Sequence, residues 1–264
     1  MNTEDILHKI QKTKKYGDLN EDTIKRIIHR IESRFKKPKE IIKETKNKLH
    51  QIYGAYFQNN DQKLVANLIN LLPSNKSDEK AKEISLKIQG FHTSSKERVS
   101  FIASLYSTIF SITGIPNSIL DIACGYNPFA IPFMSLNNSP KYYAQDIDNY
   151  EIELINVFFE KIGIQPNAKC TDIMIDIPEI ETDIAFLFKT LPVLEQQEKK
   201  YSSLLLNKLK SKYIVVSFPT KTLCGKRIGM STHYEEFINN ISTELNYKYQ
   251  KLTFVNEDFY IIKK

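Results

Sequence analysis

The segment Ser118–Pro128, S-I-L-D-I-A-C-G-Y-N-P, restricts the fold more than any other part of this chain. Its apolar start predicts a short buried strand, and Cys124-Gly125 predicts a sharp turn whose bare glycine lets backbone approach a ligand. Twenty-one residues beyond Gly125, Asp146 closes a second strand-like run, K-Y-Y-A-Q-D. Strand, glycine turn, helix, strand and terminal acid is the layout of a nucleotide-type cofactor site where a parallel sheet reverses its order.

The missing glycines narrow the cofactor. A dinucleotide needs G-x-G-x-x-G so that backbone can reach its pyrophosphate, whereas Gly125 is followed by Tyr126, Asn127 and the bulky Pro128-Phe129. S-adenosylmethionine has no phosphate to cradle and fits the single glycine. Asp146 or Asp148, at the end of the second strand, is expected to accept the ribose hydroxyls, and Asp172, after the third, the adenine amino group. Each acid has an alternative role as a helix cap or turn residue. The amino-acid end of the cofactor points to F-H-T-S-S-K-E-R, Phe91 to Arg98. Ser94 and Glu97 match a capping box, so a long apolar helix carrying Val99, Ile102, Leu105, Tyr106 and Ile109 is expected to start here. His92 and Thr93 then sit at a helix N-terminus, which favours an anion, and Arg98 is placed to clamp a carboxylate. Capping or packing for His92, and pairing with an acid for Arg98, are the structural alternatives.

Helical and strand-like stretches alternate from residue 118 onward. Strands are expected at 118–123, 141–146, 167–171, 183–188 and 212–218, with helices such as 149–162 and 195–210 between them, which predicts a parallel, doubly wound sheet. The chain ends with β-rich runs 248–255 and 258–263 joined by Asn256-Glu257, a connection short enough only for an antiparallel hairpin. The fold class is therefore α/β, a seven-stranded Rossmann-like class I S-adenosylmethionine-dependent methyltransferase with its last strand antiparallel.

A helical module precedes it. Asn20 is placed to cap a helix bearing Ile24, Ile27, Ile28, Ile31 and Phe35, and Pro38 to open another bearing Ile41, Ile42, Leu49, Ile52, Tyr53 and Tyr56. Leu64 to Leu72 forms a third amphipathic run that stops at Pro73, and the Ser74–Asp78 stretch after it reads as a linker. The division is placed at residues 1–88 and 89–264. Residues 1 to 60 hold 14 Lys plus Arg against 8 Asp plus Glu, the whole excess of a 264-residue chain of net charge +6. Such concentrated charge suits a polyanion, nucleic acid above all, or else a solvated lysine-rich surface. Lys39, Lys43, Lys46 and His50 fall along one flank of the second helix, where they can track a phosphate backbone.

Other classes fall away. The acidic start, M-N-T-E-D-I-L, lacks the bases of a signal peptide, and no apolar run approaches a membrane span, so the expectation is a cytoplasmic protein without a membrane partner. Cys124, Cys170 and Cys224 lie far apart with no C-x-x-C spacing, so neither a disulfide framework nor a metal site is expected. Enzymes that methylate exocyclic amines commonly carry D/N-P-P-Y/F after the fourth strand, where this chain has F-L-F-K-T-L-P, and no cysteine stands there to attack a pyrimidine carbon. A ring nitrogen or a hydroxyl remains as target. A purine N7 has a free lone pair, so no general base and no catalytic residue in that sense is required.

Several segments together resemble the aminoglycoside-resistance 16S rRNA methyltransferases of the Arm/Rmt family. They are K-K-Y at 14–16, K-L-H-Q-I-Y-G-A-Y at 48–56, H-T-S-S-K-E-R at 92–98, D-I-A-C-G-Y-N-P at 121–128, F-K-T-L-P-V-L-E at 188–195, V-S-F-P-T-K-T-L at 216–223, and Gly229-Met230 with Tyr234. The resemblance implies methylation of N7 of a decoding-site guanine of 16S rRNA in the 30S subunit, and protection from 4,6-disubstituted 2-deoxystreptamine drugs. It implies a cofactor site of His92, Thr93, Arg98, Gly125, Asp146, Asp172 and Phe188. Lys14, Lys15, Lys39, Lys43, Lys46, Lys221 and Arg227 are the expected rRNA contacts, with Lys189 and Lys221 positioned near the target base. Ser231, His233 and Cys224 depart from the family's usual residues. Methylation of another decoding-site atom, such as an adenine N1, and a binding-only role stay open.

Overall fold

The computed structural model describes residues 2–54, 62–220 and 230–264. Three helices come first: α1 (Thr3–Gln11), α2 (Glu21–Glu32) and α3 (Pro38–Leu49), the last widening into a π-type turn at His50–Gly54. Their starts follow the local chemistry. Asn20 Oδ1 accepts the Thr23 N–H at 3.0 Å, and Pro38 opens α3 where its missing N–H costs nothing. Next are α4 (Gln62–Asn70), α5 (Glu79–Gln89), the short α6 (Thr93–Lys96) and α7 (Ile102–Thr113).

The strands are β1 (Ser118–Ile122), β2 (Lys141–Asp146), β3 (Ala168–Cys170), β4 (Thr182–Phe188), β5 (Ser211–Pro219), β6 (Lys248–Phe254) and β7 (Glu257–Lys263). A 3-10 turn at Asn127–Phe133 follows β1, α8 (Asn149–Lys161) follows β2, and α9 (Leu191–Gln197) and α10 (Tyr201–Lys208) link β4 to β5. The helix before the final hairpin is α11 (Met230–Leu245). The sheet runs β3-β2-β1-β4-β5-β7-β6. β1 to β5 pair in parallel, while β7 runs against both of its neighbours. This is the methyltransferase sheet expected from the sequence, with its reversal point between β1 and β4.

Both faces are covered at the centre of the sheet, so β1, β4, β5 and β7 are buried along most of their length. In β4, Ile184 and Phe186 enter the core beneath α4, α5, α7 and α8, whereas Ala185 and Leu187 enter the core beneath α9, α10 and α11. A third cluster, built on Ile6, Ile10, Ile24, Ile27, Ile28 and Leu49, holds α1 to α3 together and receives Ile147 from the end of β2. Asn20 N–H donates to Ile147 O and Asn149 N–H to Asp18 O, each at 2.8 Å, which stitches the first helices onto the C-terminal end of β2. α4 and α5 pack on the sheet side, through Val65, Ile69, Ile84 and Ile88. Among the described residues no helix is long and apolar enough to cross a membrane.

Three local expectations are corrected. The capping box at Ser94 does not form. Ser94 Oγ accepts from Arg98 Nη2 at 3.2 Å and Glu97 is drawn to Lys189, so the helix stops at Lys96 and restarts at Ile102. The expected helix over 195–210 is two helices, broken where Lys200 turns left-handed (φ 67°) and its N–H reaches Glu195 Oε1 at 2.5 Å. The hairpin turns on Val255-Asn256, with Asn256 at φ 68°. Glu257 is thus a fully buried strand residue, at 0% exposure, and not part of the turn.

Candidate active site

Past the C-terminal ends of β1 to β4 lies a cavity with about 960 Å³ of empty space, counting its open mouth. Two non-glycine residues, Ala123 after β1 (φ 50°) and Lys189 after β4 (φ 57°), take the left-handed conformation at its base. Such strain collects at ligand sites because surrounding structure must hold it. Lys189 is held by its own N–H, which donates to Ser217 O at 3.1 Å and Ser217 Oγ at 3.0 Å.

Gly125 and Asp146 meet as the sequence predicts. Gly125 is left-handed (φ 46°), and its N–H donates to Asp146 Oδ2 at 2.8 Å, while Asp146 Oδ1 accepts the Ile147 N–H at 2.7 Å. Burial raises the Asp146 pKa, and these backbone donors pull the other way. The His92 ring lies flat on the other side of the turn, stacked on Tyr126 with centroids 5.1 Å apart. A side-chain carbon on Gly125 would come within 3.1 Å of His92 Cε1. Burial, then the Arg98 and Lys189 charges, push His92 down to about 3, so the imidazole is neutral at physiological pH.

Asp146 and Asp148 part company. Asp148 is wholly buried at 0% exposure, caps α8 by accepting the Glu151 N–H at 2.9 Å, and accepts a second hydrogen bond from the Tyr53 hydroxyl. Burial raises it to about 6. It does not line the cavity, and the alternative role as a cap is the one the geometry gives it. Asp172 does line the cavity, but its Oδ2 pairs with Arg26 Nη2 at 2.7 Å and its Oδ1 accepts the Met174 N–H at 2.9 Å.

Phe188, Ser94 and Lys189 are on the wall. Of the expected cofactor residues, Thr93, Arg98 and Asp148 stand off it. Arg98, 4% exposed, donates through Nε to both oxygens of Glu257 at 3.2 and 3.1 Å and lays its guanidinium over the Phe188 ring at 4.7 Å. Its clamp is closed on an internal carboxylate. Glu257 also accepts from Ser217 Oγ at 2.5 Å and lies 3.4 Å from Lys189 Nζ, so one buried acid anchors both cations beside the cavity. Sequence reasoning missed Glu257, having put it in a turn. It also missed Thr23, Arg26, Ile52 and Tyr53, through which α2 and the turn after α3 wall the cavity.

The basic residues separate into two sets. Lys14, Lys39 and Lys43 are exposed, whereas Lys46 is half-buried and donates to Thr13 Oγ1 at 2.8 Å. Lys15 Nζ sits 2.9 Å from His50 Nδ1. The K-K-Y turn therefore packs against the end of α3 and joins the two predicted basic groups on one surface. Lys221 and Arg227, with Cys224, lie outside the described residues.

Nothing here is an activated nucleophile. Burial raises the Cys124 thiol well above its ordinary pKa and Cys170 to about 11, so both stay protonated, and no group of three or more metal-binding side chains occurs among the described residues. Asp121 of the signature strand supports rather than reacts. Its Oδ2 accepts from Tyr142 Oη at 2.7 Å and Asn127 Nδ2 at 2.9 Å, and burial lifts its pKa to about 7. A folded pKa above the unfolded value gives stability that is complete below about 4 and is lost as pH rises to about 7. Wild type should lose up to about 1.4 kcal/mol per pH unit from this group. Asp121→Asn, which keeps the acceptor without the charge, should flatten that slope in urea midpoints taken across the window. Identical slopes would contradict the assignment.

A family model described as ribosomal RNA methyltransferase (FmrO) matches residues 12–262. A Proteus mirabilis protein named 16S rRNA (guanine(1405)-N(7))-methyltransferase is 34% identical, with 99% of this chain and 97% of the relative covered. The solved 16S rRNA methylase RmtB is similar at TM-score 0.84 and 30% identity, over 100% of this chain and 99% of its own. So is 16S rRNA methyltransferase RmtF, solved in complex with S-adenosyl-L-homocysteine, at TM-score 0.87 and 28% identity over the same shares.

Proposed function

Because the chain belongs to the ribosomal RNA methyltransferase (FmrO) family, we propose that it methylates N7 of the decoding-site guanine of 16S rRNA, using S-adenosylmethionine and acting on the assembled small subunit. The observation that carries this reading is a cavity at the sheet's reversal point that can hold a nucleoside and, among the described residues, offers no activated cysteine to attack it. The residues fit the cofactor. Gly125 leaves its backbone bare against His92, Asp146 stands at the end of β2, and Gln145 Oε1, buried on the same wall, has no partner among the described residues. Asp146 and Gln145 would hold the ribose end, Asp172 the adenine, and His92 with Ser94 the amino-acid end. Thr93 and Arg98 support that end from behind.

When bound, the cofactor supplies an electrophilic methyl with its own leaving group. The chain's part is alignment and exclusion of water. Phe188, Ile122 and Ile173 give the cavity apolar walls, and a neutral His92 adds no charge beside a cationic sulfur. Lys189, held between Glu97 and Glu257, stands where a lysine can meet the oxygen of a guanine. Lys221 and Arg227 are carried by the same reading as contacts to target or rRNA.

We place rRNA docking on residues 1–88 and methyl transfer on residues 89–264. Lys14, Lys15, Lys39 and Lys43 supply the docking face, and Lys46 acts by bracing Thr13. The double reversal Lys39→Glu/Lys43→Glu should lower methylation of small subunits by roughly tenfold or more, most strongly at low salt, and leave cofactor affinity unchanged. Equal rates for variant and wild type would remove α3 from the docking face.

A fixed positive charge on the guanine would repel 4,6-disubstituted 2-deoxystreptamine drugs, so resistance to gentamicin and kanamycin is the expected phenotype. The direct test is transfer of labelled methyl to drug-sensitive small subunits followed by borohydride and aniline, which cuts at N7-methylguanine. Cleavage at one decoding-site guanine is expected. Label without cleavage would move the target to another atom, such as an adenine N1, and no label with cofactor bound would leave a binding role.

A further inference from the structure

We infer that Arg26, on a helix of the N-terminal module, is a positioning residue of the cofactor cavity: it aims Asp172 at the purine, so that affinity and purine selectivity depend on how α2 is seated. The inference rests on reading the cavity as an S-adenosylmethionine site.

Arg26 donates through Nε to Asp172 Oδ2 at 2.9 Å, its Nη2 forms an ion pair with the same oxygen at 2.7 Å, and that Nη2 donates to Gln197 Oε1 at 3.0 Å. One guanidinium thus ties α2, the segment after β3 and α9 together at the cavity wall. All three residues line the cavity. The arginine is rigidly placed, since Ile24, Ile27 and Ile28 around it are all 0% exposed in the N-terminal core.

Asp172 is only 4% exposed on its side chain, and a carboxylate so buried needs a charged partner. Arg26 is that partner. A carboxylate offers about four lone-pair positions; Arg26 Nε fills one on Oδ2 and the Met174 N–H fills one on Oδ1, while the Nη2 charge stands 2.7 Å from Oδ2. The remaining positions can accept an amino hydrogen and can donate nothing. Adenine presents an amino donor at that edge of the ring, hypoxanthine a carbonyl acceptor, so a paired Asp172 accepts the first and rejects the second. Without the guanidinium, the buried carboxylate is left without its counterion and turns away from the purine, and the discrimination goes with it.

The test is calorimetric titration of S-adenosylhomocysteine and of S-inosylhomocysteine, its hypoxanthine counterpart. The proteins are wild type, Arg26→Ala, Arg26→Lys, Asp172→Asn and the double variant Arg26→Ala/Asp172→Asn, with unliganded melting recorded beside each. Wild type should prefer the adenine ligand. Arg26→Ala should weaken it about 10- to 100-fold, the scale of a lost hydrogen bond to a charged group, and barely change the hypoxanthine ligand. Arg26→Lys should fall between, keeping charge without the fork, and carries the test if the alanine variant does not fold. The double variant should bind no more weakly than the worse single one. Equal weakening of both ligands, or no weakening, would make Arg26 a mere wall residue and overturn the inference alone. A wild type that binds neither ligand would overturn the cofactor reading and the inference together.

Discussion

Glu257→Ala should lower the free energy of unfolding by about 3–5 kcal/mol, the usual cost of removing one partner of a buried ion pair. Glu257 is 0% exposed, accepts from Arg98 at 3.2 and 3.1 Å and from Ser217 at 2.5 Å, and faces Lys189 at 3.4 Å. Alanine leaves the Arg98 guanidinium buried without its counterion and loosens Lys189 in the cavity wall. Since domains of this kind are stable by only about 5–15 kcal/mol, the variant should be marginally folded at 37 °C. Glu257→Gln keeps the shape and an acceptor and should cost less. Urea midpoints for the two variants measure the effect, and a loss under about 1 kcal/mol for alanine would show that Arg98 finds another partner. Cofactor affinity should fall as well, because Arg98 supports Phe188 from behind at 4.7 Å.

Gly125→Ala should all but abolish cofactor binding while the protein stays folded. The backbone at φ 46° costs an L residue about 1–2 kcal/mol. The new methyl meets His92 Cε1 at 3.1 Å and Nε2 at 3.2 Å, and the ring cannot retreat freely because it is stacked on Tyr126. Either the ring moves into the space where ligand is held, or the turn moves and takes the Asp146 hydrogen bond with it. A drop of roughly 100-fold in S-adenosylhomocysteine affinity follows from about 3 kcal/mol of combined strain and lost contacts. Adding His92→Ala removes the collision and should restore part of the stability without restoring affinity. Tight binding by Gly125→Ala alone would show that the ligand does not lean on this turn.

Much of this was legible because it is local. Strands buried on both faces announce themselves as apolar runs, and the turn at Gly125 with an acid at the end of the next strand specifies a ligand crevice by spacing alone. Other features depend on partners far away in sequence. Ser94 and Glu97 carry a capping pattern that loses to Arg98 and Lys189, and Glu257 looks like a turn residue until β7 pairs with β5. Asp146 and Asp148 are two residues apart and chemically alike, yet Asp146 lines the cavity while Asp148 caps α8 and is met by Tyr53, brought over from the first helices. Arg26 sits on the flank of an amphipathic stripe, where charged side chains are commonplace, and nothing local distinguishes it.

The contact between Arg26 and Asp172 spans 146 positions, and that span has a meaning for synthesis. At ~5–20 residues per second, Arg26 is added to the chain roughly 7–30 s before its carboxylate partner. In that interval the first three helices have a core of their own but their interface with the sheet has no counterpart. A nascent chain is therefore a candidate polyanion binder before it is a cofactor binder, and becomes competent for transfer only once the third strand has been added.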